Sequence, residues 1–199
     1  VSDAWLVVGL GNPGAEYERT RHNVGQMVLD ELASRTGGSF KKHRSGARVA
    51  EVRLGVLPGG APGPRTVLAA PTSYMNVSGG PVAGLANYFD VPVERIVVLH
   101  DELDIDFGAV RLKRGGGEGG HNGLRSISKS LGEKEYARVR VGIGRPPGRQ
   151  DPADFVLKEF SSTEKKDLPF LLMDAADAVE KLLLEGLEAA QQKFHAPAG

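Results

Sequence analysis

A single three-layer α/β domain, a twisted mixed sheet flanked by helices, is the architecture this sequence predicts. Three observations carry it. Short apolar runs suited to buried strands alternate along the chain with segments of helical spacing. No internal repeat and no linker divides the chain, so residues 1–199 read as one domain whose last few residues form a loose tail. At 199 residues, a 40% apolar composition is enough for one core.

The elements follow in order. Residues 5–10 are an apolar run ended by glycine, as in a buried strand. Val24, Met27, Val28, Leu32 and Ala33 recur at helical spacing, which predicts a helix over 22–35 that ends at Gly37-Gly38. Residues 47–54 and 66–70 read as strands around a proline- and glycine-rich surface turn at 58–64. A helix is expected over 76–89, then a buried strand at 95–100 and a shorter one at 109–113. After the glycine-rich segment 115–123, residues 122–131 are helical and 136–144 alternate as a strand should. Ser161 and Glu164 have capping-box spacing, and one long amphipathic helix is expected from there to about 194.

Composition excludes several functions. With no cysteine there is no disulfide, no thiolate metal site and no cysteine nucleophile. No apolar stretch approaches the roughly 20 residues of a membrane span, and the first residues lack the pattern of a secretion signal. The expectation is a cytoplasmic globular protein. Lys+Arg and Asp+Glu balance at 25 each, so bulk charge does not point to nucleic acid. The distribution is uneven, however. Basic residues gather at Lys41, Lys42, Arg44 and Arg48, at Arg111, Lys113 and Arg114, and at Arg138, Arg140, Arg145 and Arg149, while 158–188 is acidic. A basic face opposite an acidic helix would reconcile zero net charge with phosphate binding. Ordinary solvated surface charge is the plainer alternative.

Gly9-Leu10-Gly11-Asn12-Pro13-Gly14 matches the dinucleotide-binding pattern G-x-G-x-x-G after a strand. Pro13 has no N–H to offer a pyrophosphate, and no helical pattern opens within the motif. The loop reads better as a tight turn that holds Asn12 in a fixed pose, with a dinucleotide-binding oxidoreductase as the alternative.

Several polar residues follow strands. Asn12, His22 and Asn23 come after the first, Met75 and Asn76 after 66–70, Asp101 at the end of 95–100, and His121 and Asn122 after 109–113. If those strands run parallel, all of these residues reach one crevice beyond the carboxyl ends. A neutral imidazole at His22 suits proton abstraction near neutral pH, and Asp101 can fix its tautomer. The alternative is that His22 caps a helix and Asp101 ends a strand. No G-x-S-x-G elbow is present, so a His-activated water is preferred to a covalent nucleophile. His22, His100, Asp101, Glu102, Asp104 and His121 could in principle bind metal, but their spacing matches no known metal motif, and no metal is expected. His43 and His195 read as solvated, in a basic loop and in the tail.

At these residues the sequence resembles the bacterial peptidyl-tRNA hydrolase family over nearly the whole chain. The matching stretches are Gly9–Gly14 with Tyr17, Thr20-Arg21-His22-Asn23-Val24-Gly25, Ser73-Tyr74-Met75-Asn76-Val77-Ser78-Gly79, His100-Asp101-Glu102-Leu103-Asp104, Gly115–Leu124, and Val141-Gly142-Ile143-Gly144-Arg145-Pro146. No single stretch is specific; their order is. The resemblance implies hydrolysis of the ester between a peptide and the tRNA 3′-terminal ribose, which recycles tRNA from stalled translation. His22 would activate water and Asp101 would orient His22. Asn12, Asn76 and Asn122, with Tyr17, Met75 and His121, would hold the substrate, and Lys113 with Arg145 would clamp the tRNA 5′-phosphate. It implies a monomer with no cofactor and no membrane or obligate protein partner, and a mobile glycine-rich gate. A non-catalytic RNA-binding module is the remaining alternative, which the presence of both His22 and Asp101 disfavours. Glu118, Ala70 and Ser73 depart from residues common in the family.

Overall fold

The structure, a computed structural model, describes residues 3–195, so the expected loose tail falls outside the described residues except at His195. Seven strands form one sheet: β1 Trp5–Gly9, β2 Lys41–His43, β3 Ala47–Arg53, β4 Arg65–Pro71, β5 Ile96–Glu102, β6 Val110–Arg114 and β7 Ala137–Gly142. Their order is β2-β3-β4-β1-β5-β7-β6. β4, β1, β5 and β7 run parallel, and β2, β3 and β6 pair antiparallel to their neighbours. The helices are α1 Val24–Thr36, α2 Gly79–Tyr88, α3 Asn122–Leu131, α4 Pro152–Val156, α5 Ser162–Glu185 and α6 Leu187–His195.

Strand alternation divides the apolar residues between two cores. Val7, Leu68, Val97, Leu99 and Val139 face α1, α5 and α6. Leu6, Val8, Val67, Ala69, Ile96 and Val98 face α2 and α3. The result is the expected three-layer sandwich with a mixed sheet. β1 and β5 are buried on both sides, which is why they read as unbroken apolar runs. α1 buries Val24, Val28, Leu29 and Leu32, each stabilising the fold by about 1.5–3 kcal/mol. It lies close on the sheet because Gly25 has no side chain: a Cβ there would stand 2.3 Å from the Leu99 carbonyl oxygen.

Five expectations are corrected. α1 starts at Val24, behind a 3-10 turn at Arg21–Asn23, and α2 likewise follows a 3-10 turn at Met75–Val77. Lys41–His43, read as loop, is the edge strand β2. The single long C-terminal helix is two, divided at Gly186 with φ of 94°. His195 is exposed, as expected of a solvated residue, but it does not lie in a loose tail. It ends α6 and its Nε2 accepts the Leu112 N–H at 2.8 Å, while Gln191 Nε2 donates to the Leu112 carbonyl. These bonds occupy the free edge of β6, where an uncovered strand would invite pairing with another chain.

Candidate functional site

Asn12 follows β1, Met75 and Asn76 follow β4, and Asp101 lies near the end of β5, all at the carboxyl edge of parallel strands. The fourth contributor arrives differently. β6 is antiparallel, with Arg114 opposite Ala137 at the start of β7, so it ends far from Asp101. The glycine-rich segment then runs back along the sheet to bring His121 to Asp101. Gly115 and Gly116 make this reversal at φ of 70° and 88°, a region disfavoured for other residues.

Asp101 is buried, and both its oxygens are engaged. Oδ2 lies 2.8 Å from His22 Nδ1, and Oδ1 lies 2.8 Å from His121 Nε2. His121 Nδ1 accepts the N–H groups of Gly123 and Leu124, capping α3. An accepting Nδ1 carries no proton, so His121 is the Nε2–H tautomer and donates to Asp101. His22 donates through Nδ1–H, which leaves its Nε2 lone pair as the one unengaged ring nitrogen of the pair. The two rings stand 5.2 Å apart.

Burial pulls the His22 pKa down, but the charge and hydrogen bond of Asp101 outweigh it and raise it above 6.5. Burial pushes Asp101 up, yet His22 and His121 hold its carboxyl well below the usual range. His100 is driven to about 3, chiefly by burial and then by His121, and stays neutral. Its Nδ1 donates to the Asp101 carbonyl at 2.8 Å.

The loop after β1 does hold Asn12 in a fixed pose. Its backbone N–H donates to Asn23 Oδ1, and its carbonyl accepts from Asn23 Nδ2, both at 2.9 Å. Its side-chain oxygen accepts the Met75 N–H at 2.7 Å, so only the Nδ2 donor remains for a ligand. Because the loop N–H is spent on Asn23, a pyrophosphate cradle has no support here. Asn76 and Asn122 are exposed on the first turns after β4 and at the start of α3. Met75 is buried beneath Gly123, and Tyr17 is half-buried in the turn after Gly14.

Lys113 and Arg145 are not equivalent. Lys113 shares one side of β6 and β7 with Arg111, Arg138 and Arg140 by strand alternation. Burial, then the charges of Arg140 and Arg138, lower its pKa. Arg145 lies on the exposed loop after β7, 2.7 Å from Asp104 Oδ1. Arg140 bonds Glu102 at 3.1 Å, and Arg138 is buried with its guanidinium on the carbonyls of Gly116 and Gly117. Arg138, a surface charge on the plain reading of its sequence, is buried because the glycine segment covers it, which strand alternation alone does not show.

Among the described residues, His22, Asp101 and His121 form the one cluster that could hold a metal, with ligand atoms within 4.8 Å of one another. A metal there would have to displace both hydrogen bonds on Asp101. Arg21, and the part played by Asn23, are not singled out by sequence; their only signal is adjacency to His22.

The peptidyl-tRNA hydrolase family model matches residues 6–198. The peptidyl-tRNA hydrolase of Kineococcus radiotolerans is 88% identical over 198 residues, covering 100% of both chains. That of an Arthrobacter species is 67% identical over 195 residues, covering 98% of each. The crystal structure of peptidyl-tRNA hydrolase from Acinetobacter baumannii superposes with a TM-score of 0.86 at 35% identity, covering 98% of this chain and 96% of that one.

Proposed function

Because this chain belongs to the peptidyl-tRNA hydrolase family, we propose that it hydrolyses the ester joining a peptide to the 3′-terminal ribose of tRNA. The observation that carries the mechanism is the 2.8 Å contact between His22 Nδ1 and Asp101 Oδ2, which leaves His22 Nε2 free to act as base. His22 Nε2 takes a proton from water as the oxygen attacks the ester carbonyl. Asp101 stabilises the imidazolium that forms. The fixed Asn12 Nδ2 donor suits the developing oxyanion, and the exposed amides of Asn76 and Asn122 suit the peptide backbone. His22 then returns the proton to the leaving ribose oxygen, giving a free tRNA hydroxyl and a peptide acid.

His121 belongs to this machinery through Asp101, since both its ring nitrogens are engaged. Tyr17 and Met75 flank the Asn12 loop and shape the cleft wall. The phosphate site is best supported at Lys113, which shares one side of the sheet with Arg140; Arg140 and Arg145 are each paired with a carboxylate, Glu102 and Asp104, that a phosphate would have to displace. No helix among the described residues is long and apolar enough to cross a membrane. A cytoplasmic monomer that recycles tRNA without a cofactor is the setting this reading proposes.

The test is hydrolysis of an N-blocked aminoacyl-tRNA by wild type and His22→Ala, with chelator present. Cleavage by wild type and a loss of at least about a thousandfold in a folded His22→Ala are expected. A variant that retains wild-type rates would remove His22 from the role of base.

A further inference from the structure

We propose that Arg21 is a positioning residue for His22, fixing the imidazole against Asp101 by tying the turn that carries it to the α4–α5 segment. This rests on the reading of His22 as the base.

Arg21 is 6% exposed. Its Nη2 donates to Glu164 Oε1 at 2.9 Å and its Nη1 to the Phe155 carbonyl at 3.2 Å. The guanidinium carbon stands 3.8 Å from the centre of the Phe155 ring. Its backbone N–H donates to the Lys158 carbonyl at 3.0 Å, and Thr20 beside it bridges Glu159. Glu164 Oε1 also accepts the Ser161 N–H at 2.9 Å, so the capping box of α5 and the His22 turn share one carboxylate oxygen.

The turn has little of its own to set the ring. Neither Thr20 nor Asn23 caps the helix that follows it. The Thr20 hydroxyl is spent on the Tyr17 carbonyl, and Asn23 on Asn12. His22 therefore sits between two buried anchors, Asn23 toward the Asn12 loop and Arg21 toward α4 and α5. An arginine is a costly choice for plain packing, since its Nε is buried without a partner. What it adds over an apolar side chain is a planar fork of fixed direction. A movement of about 1 Å in the turn is enough to break a catalytic contact.

Arg21→Met keeps the bulk and removes the fork. The measurements are the pH titration of the His22 imidazole by NMR, with kcat and KM on N-blocked aminoacyl-tRNA. The titratable groups facing His22 are Asp101 on β5 and His121 before α3. Losing the Arg21 charge alone would move the His22 midpoint up. Loosening the Asp101 contact moves it down, to its ordinary 6.5 or below. The expected result is a lower midpoint and a kcat about tenfold lower with KM within about twofold, the pattern of a loss confined to the chemical step. Arg21→Lys, which keeps the charge and a donor, should recover part of both. A folded variant whose midpoint is unchanged or higher overturns the proposal, whatever its kcat. If Arg21→Met does not fold, Phe155→Leu removes the stack without changing charge, and the same two readouts decide. The titration needs no turnover, so absence of cleavage by wild type would count against the proposed function and not against the anchoring.

Discussion

His22 and His121 meet at the two oxygens of Asp101, yet the chain delivers them by opposite means. His22 comes from a turn whose neighbours Arg21 and Asn23 are both buried, ahead of a helix packed so tightly that a Cβ on Gly25 would stand 2.3 Å from the Leu99 oxygen. His121 ends a segment with few side chains, where an added Cβ on Gly119 or Gly120 would meet nothing within 4 Å. Its ties are the hydrogen bonds from Arg138 and Lys113 to loop carbonyls, and the Glu118–Lys134 contact at 3.3 Å. One histidine is placed by packing and the other by backbone conformation. The proposed base occupies the tightly packed side, and its partner sits on the side where the backbone has open space around it.

The largest effect should come from the residue both sides share. Asp101→Asn must offer an amide N–H to one of two histidine N–H groups, so it disrupts a tautomer; a fall of roughly 2–4 powers of ten in kcat is expected by steady-state kinetics. His121→Ala removes one charge-assisted hydrogen bond and should cost about ten- to a hundredfold. A loss equal to that of Asp101→Asn would erase the distinction between base and support.

The pH dependence tests the same asymmetry. A base must be neutral, and the His22 pKa is raised, so kcat/KM should climb with pH through a midpoint above 6.5. Stability has two windows. His22 pairing stabilises fully below 6.5 and is lost as pH rises through its raised pKa. His100, held at about 3, costs stability as pH falls from 6.5 toward 3, at up to about 1.4 kcal/mol per unit. These two groups together favour greatest stability near pH 6.5, measurable by denaturant titration across pH. The smallest effect expected is that of Gly120→Ala. At φ of 81° it meets backbone strain of about 1–2 kcal/mol and no clash, so activity should fall a few-fold with the fold intact. Loss of folding instead would show that the segment is a packed element.

Much of the fold was legible because buried parallel strands and amphipathic helices write their periods directly into sequence. The strands at 5–10 and 95–100, α3 and the Ser161–Glu164 capping box all lie where pattern put them. Lys41–His43 carries no apolar alternation, since an edge strand is recognised by its neighbour and not by its own residues. The division at Gly186 lies within an otherwise continuous helical pattern, so only the backbone angle reveals it.

Residue identity and spacing are enough for the three-layer class, the residues that could do chemistry, and the family to which they belong. What each of those residues is committed to depends on how the chain packs. That both nitrogens of His121 are occupied, that Arg138 lies under a glycine segment, and that Lys113 neighbours Arg140 all depend on strand direction. Direction is set by which partner each strand finds across the sheet, and no local pattern encodes that choice.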